Sequence, residues 1–302
     1  MPLEEFRQAA AAAGRTLSPG ERRAALEGWL AAGEDGVPVE GPYRRVVVFG
    51  GVYNNHHALA ALLEEASRLE AEAVYCLGDL GGFGPHPDRV WPLLREGGVA
   101  IIQGNYEQSL ASGATDCACG YTDPRDNHFA ALSYGYTERH TSPEFKRWMG
   151  EQPARRRIAV GGRELLLVHG SPRRVNEFLF ASTAPLPFLE VLVAQNRCHG
   201  FLCTHTGLPW VRSLPSGAQV ANVGVIGRPA NNGRTEVCFA LLEARREGLA
   251  IEIRPLRYHF EALAAEMRAE ELPEEFVATV RTGWWTTCLE ILPPKERAAS
   301  RY

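Results

Sequence analysis

Three short, unbroken apolar runs constrain this chain most: Val46-Val47-Val48-Phe49, Ala73 to Leu77, and Val99 to Gln103. Runs this short, without polar alternation, fit strands buried on both faces, as in a parallel sheet. Helical periodicity fills the gaps between them. One helix is expected from about Ala58 to Glu70, with Leu59, Leu62, Leu63 and Ala66 on a single face, and another around Trp91, Leu93 and Leu94. Strands alternating with helices at this spacing make βαβ units and a layered α/β fold.

The second half changes character. Arg157 to Val160, then Gly161-Gly162, then Glu164 to Val168 reads as a hairpin. Further strands are expected at Phe201 to Cys203, Gln219 to Val223, Glu236 to Leu242 and Ala250 to Ile253. Helical pattern returns at His259 to Glu271 and Glu274 to Arg281. An apolar patch with Trp284 and Trp285 follows, expected to pack on the body or on a second subunit. At the other end, Ser18-Pro19-Gly20-Glu21 is a helix cap, a helix runs to about Ala32, and Glu34 to Pro42 reads as a linker.

The chain has 302 residues, enough for one large α/β domain with additions, and needs no disulfide staples. A net charge of −4 gives no footprint for a nucleic-acid polymer or a membrane surface. Seven cysteines, an odd number, follow a start that is charged and lacks a long apolar core. These features set the expectation of a cytoplasmic protein with reduced thiols.

The chemistry-bearing residues sit just after strands, where open α/β sheets hold their ligands. Four loops stand out: Gly78-Asp79-Leu80-Gly81, Gly104-Asn105-Tyr106-Glu107, His169-Gly170-Ser171-Pro172 and Thr204-His205-Thr206-Gly207. Each residue alone has a plain structural reading as a turn former, a helix cap or a core histidine. Jointly, one Asp, one Asn and two His converge on one sheet edge, an O, O, N, N donor set suited to manganese, iron or zinc.

In these loops the chain resembles the calcineurin-like metallophosphoesterases, most closely the small bacterial YfcE-like branch. The family carries five ordered motifs: D-x-H, G-D, G-N-H-[DE], a His after a strand, and G-H-x-H. Here the last four read Gly78-Asp79, Gly104-Asn105-Tyr106-Glu107, His169-Gly170 and Thr204-His205-Thr206-Gly207, and Asn222-Val223-Gly224 resembles the family's terminal Asn-x-Gly segment. The resemblance runs from about Arg45 to Ile253. It implies a four-layer α-β-β-α sandwich over 44–255, with an insertion or lid at about 110–150. Helical extensions are expected over 1–43 and 256–302.

The departures from the family pattern are as informative. Gly51 and Tyr53 stand where the first motif has Asp and His, Gly207 replaces the second His of the fifth motif, and Tyr106 replaces the His of the third. The resemblance therefore implies one retained metal site, Asp79, Asn105, His169 and His205, and a second site reduced to the shared Asp79. Tyr53 is a candidate phenolate ligand, and Tyr106 a candidate general acid beside Asn105. Asn55, Glu107, Arg173, Arg228 and His128 are candidate substrate contacts, the arginines because their forks match phosphate geometry. His56, His57 and Glu107 are the neighbours that could rebuild a second site. Consecutive helix positions point about 100° apart, which argues against His56 and His57 sharing an ion.

Three functions remain open: hydrolysis of a small phosphomono- or diester at an altered, mononuclear site; a catalytically impaired metal- or nucleotide-binding module; and non-hydrolytic chemistry at a single iron. The partner expected is a small phosphorylated substrate, with homo-oligomerisation through the aromatic tail. Cys117-Ala118-Cys119, inside the expected lid, lacks a second matching pair for zinc and reads as an ordered loop with buried thiols.

Overall fold

The computed structural model describes residues 37–299. The expected N-terminal helix and its Ser18 cap lie outside them. After β1 (Val39–Tyr43), the first strands and helices follow the sequence pattern: β2 (Arg45–Phe49), α1 (His56–Arg68), β3 (Ala73–Cys76), α2 (Val90–Glu96) and β4 (Ala100–Ile101). The middle of the chain holds α3 (Asn105–Ser112), α4 (Pro124–His140), α5 (Pro143–Gly150), β5 (Arg156–Val160), β6 (Arg163–Leu167) and α6 (Leu186–Gln195). Then come β7 (Gly200–Cys203), β8 (Trp210–Ser213), β9 (Gln219–Asn222), β10 (Val237–Arg245), β11 (Gly248–Leu256), α7 (Phe260–Ala269), α8 (Glu274–Thr282) and α9 (Pro294–Ala298).

The strands form two sheets. One has the order β1-β5-β6-β7-β9-β8, the other β11-β10-β2-β3-β4. Strand β2 shows why they stack. Val46 and Val48 face the opposing sheet and pack with Ile158, Leu165, Leu167 and Leu202. Val47 and Phe49 face the other way, onto Leu59 and Leu62 of α1. These four side chains are fully buried, and each contributes about 1.5–3 kcal/mol of transfer free energy. The far face of the first sheet is covered by Leu189, Leu192 and Val193 of α6. The result is helix, sheet, sheet, helix, the sandwich expected from the sequence.

The stretch read as a linker is partly strand. Val39–Tyr43 pairs in parallel with β5 at the sheet's edge, so the last residues of the expected 1–43 helical extension belong to the sandwich. Gly41 and Pro42 hid it: Pro donates no backbone hydrogen, and edge strands alone tolerate that. The expected lid region is the helical pair α4 and α5, and the tail after β11 folds back as α7 and α8.

Candidate metal centre

Each sheet supplies two ligand loops. Asp79 follows β3 and Asn105 follows β4, both in the five-stranded sheet, while His169 follows β6 and His205 follows β7 in the other. These strands run parallel in pairs, so all four loops leave at one rim of the sandwich. His169 Nε2 sits at the middle of the group, 3.2 Å from Asp79 Oδ2, 3.1 Å from Asn105 Oδ1 and 3.1 Å from His205 Nδ1. Ligands about 2.0–2.2 Å from a shared ion lie roughly 3.0–3.5 Å from one another. The three distances from His169 Nε2 already match that spacing.

Backbone carbonyls fix the tautomers. His169 Nδ1 lies 2.6 Å from the Leu77 carbonyl oxygen, and His205 Nε2 lies 3.2 Å from that of Cys119. Each bond puts the proton on the far nitrogen and leaves the inner lone pair free, the arrangement metal-ligating imidazoles use. Asn105 Nδ2 donates to the Cys117 carbonyl at 2.7 Å, which turns Oδ1 inward. The Cys117–Cys119 loop therefore orients two of the four candidate ligands. Its thiols are joined in a disulfide with the Cα atoms 5.3 Å apart, so the expectation of reduced thiols fails at this pair. Sequence reading noted the loop but missed its role, which depends on carbonyls rather than side chains.

Charge is arranged to match. Burial disfavours the Asp79 carboxylate, yet His169 and His205 beside it hold its pKa below the ordinary value. Burial disfavours protonated His169 too, but the Asp79 carboxylate outweighs it and raises the pKa. His205 is pushed down to about 3 by burial and by His169. Asp79 and His205 both hold left-handed backbone, at φ 58° and 41°, a strained conformation that clusters at functional sites. Gly104 has no alternative: a Cβ there would lie 2.5 Å from Asp79 Oδ1 and 2.8 Å from His169 Cε1.

Around Gly51 and Gly207, where the family motifs carry further ligands, other side chains take up the space. A Cβ on Gly51 would meet the Tyr53 ring at 2.8 Å, and one on Gly207 would meet Trp285 at 3.5 Å. Burial pushes the pKa of the Tyr53 phenol far up. Arg228 stands in the same space, its guanidinium carbon 3.6 Å from the Trp285 ring centroid and 5.9 Å from that of Tyr53. It is 5% exposed, and its Nε is buried without a hydrogen-bond partner. Arg228, Asp79, His205, Tyr53, Tyr106 and Cys288 share one cavity of about 60 Å³. That exceeds the roughly 10–15 Å³ a cavity needs to admit a water.

The remaining candidates are placed as follows. Glu107 is fully buried and accepts the amides of Asp79, Leu80 and Gly104 at 2.7–2.8 Å, clamping two ligand loops together instead of meeting substrate. Asn55 caps α1 through the Ala58 amide and donates to the Ile226 carbonyl. Arg173 pairs with Glu177 at the surface, and His128 is exposed on α4 outside the cavity. Tyr106 does reach the cavity, its hydroxyl 3.0 Å from Ser133 Oγ, with burial holding it protonated. The tail supplies wall residues that no motif announced: Phe276, Thr287 and Cys288.

Residues 45–247 match the family model of the Calcineurin-like phosphoesterase superfamily domain. The chain belongs to the calcineurin-like phosphoesterase superfamily. Members use divalent metal ions, and the donor set around Asp79 fits one. The fold is similar to that of PH1004 from Pyrococcus horikoshii OT3, with a TM-score of 0.68 at 23% identity over 80% of this chain and 99% of that one. A metallophosphoesterase from Sphaerobacter thermophilus gives a TM-score of 0.60 at 22% identity over 80% of this chain and 99% of that one. Protein MJ0912 of Methanocaldococcus jannaschii is 19% identical over 247 residues, 76% of this chain and 94% of that protein. Among the described residues no helix is long and apolar enough to cross a membrane.

Proposed function

We propose that this chain hydrolyses a small phosphomono- or diester of the cytoplasm with one resident divalent ion, Arg228 taking over the charge of the lost second ion. The supporting observation is the shared cavity: a buried guanidinium, its Nε without a hydrogen-bond partner, faces the same small space as Asp79 and His205. Asp79, Asn105, His169 and His205 would hold manganese, iron or zinc, which would supply Lewis-acid polarisation of a phosphoryl oxygen.

The protein groups do the rest. Arg228 binds phosphoryl oxygens through its fork and is held rigid by the Trp285 face, which spares the ordering cost of a mobile side chain. Tyr106 keeps its proton at neutral pH and offers it to the leaving oxygen from the cavity wall. Tyr53, Phe83 and Phe276 exclude water, which strengthens the charge interactions inside.

The test uses p-nitrophenyl phosphate and its bis-ester with protein loaded with each metal in turn. Turnover is expected, and Arg228→Met should lower kcat about 10²–10³-fold while metal content stays unchanged. Absence of turnover with every loaded metal, or an Arg228→Met variant as fast as the parent, rejects the proposal. Phosphate binding without turnover would favour the binding-module reading, for which Tyr53 and Trp285 packed into the lost site are the favouring observation.

A further inference from the structure

We propose that His56, His57 and Glu266 form a separate transition-metal site that joins the first turn of α1 to α7 of the C-terminal extension. One nitrogen from each imidazole and one carboxylate oxygen lie within 4.8 Å of each other. His57 Nε2 is 3.3 Å from Glu266 Oε1, and His56 Nε2 is 3.6 Å from Glu266 Oε2. The expectation that consecutive helix positions diverge does not hold here. At the opening turn of α1 the two rings fold together, with centroids 4.1 Å apart.

Two atoms that face each other across this cluster, His57 Nε2 and Glu266 Oε2, are buried without a hydrogen-bond partner. Few buried polar atoms stay unsatisfied in native proteins, so two in one spot call for something that binds them. Two imidazoles and one carboxylate are a donor set for zinc or a late first-row ion, with a position left for water. The competing cation is Arg89, whose Nη1 is 3.0 Å from Glu266 Oε1. Its side chain is 52% exposed and can turn to solvent when an ion takes that oxygen. His86 faces the cluster from the same side and pairs with Glu270.

The consequence reaches the main cavity. Helix α7 packs through Leu263 and Met267 into the same cluster as Tyr53, Phe83 and Phe276. An ion at His56, His57 and Glu266 therefore staples the cavity's outer wall to the sandwich.

The test counts zinc per chain in metal-stripped, zinc-reloaded full-length protein and measures melting with and without zinc. Glu266→Gln and His57→Ala should each bind one zinc fewer than the parent, and the zinc-dependent rise in melting temperature should shrink. A His169→Ala chain should retain one zinc, and His169→Ala with His57→Ala none. Should the His169 variants fail to fold, the parent against Glu266→Gln decides alone, since it reads a difference of one ion whatever the main site holds. Equal zinc content in parent, Glu266→Gln and His57→Ala overturns the proposal.

Discussion

Glu107 holds the ligand loops through one carboxylate. It sits in the first turn of α3 and accepts three amides, from Asp79, Leu80 and Gly104. A carboxylate can accept at both oxygens, whereas an amide turns a donor towards at least one of those N–H groups. Glu107→Gln should therefore cost about 2–4 kcal/mol of stability and loosen metal binding, measurable by denaturant unfolding and metal titration. An unchanged midpoint and affinity would show that the loops hold themselves. The sequence made Asp79, Asn105, His169 and His205 legible because each follows a strand directly and sits beside a glycine or small residue. It did not reveal the task of Glu107, which is set by two loops meeting in space.

At the scale of elements, the tail is bound to α4 through a carboxyl pair. Asp126 Oδ2 accepts the Ile291 amide at 3.1 Å. Burial, and the Glu290 carboxyl hydrogen-bonded beside it, raise the Asp126 pKa from 3.8 to about 6. The folded state thus holds this proton more tightly than the unfolded chain. That contribution is complete below about pH 4 and is lost as pH rises through about 6. Asp126→Asn should stay uncharged throughout, so its melting temperature should fall less than the parent's between pH 5 and pH 7. Parallel pH profiles for parent and variant would remove this account of the tail contact. Helices in the tail were legible from their periodicity. Their packing was not: Trp285, expected on the body or on a partner, is 1% exposed and donates Nε1 to the Pro229 carbonyl at 2.6 Å. Strand β1 was missed for a local reason, since Gly41 and Pro42 are turn formers unless a sheet edge accepts them.

The whole molecule is a sandwich whose two sheets each contribute half of the candidate metal centre. Its βαβ layering was readable because β2 is buried on both faces and carries a continuous apolar run. What stands around Gly51 and Gly207 was not readable, because Tyr53, Arg228 and Trp285 come from three distant segments. The central claim is one ion beside Asp79 and a guanidinium in place of the other. Anomalous diffraction from crystals of manganese-loaded protein tests it most directly. The account predicts a peak about 2.0–2.3 Å from Asp79, Asn105, His169 and His205, with Arg228 alone in the space bounded by Tyr53 and Trp285. A second peak in that space, or none beside Asp79, would contradict it.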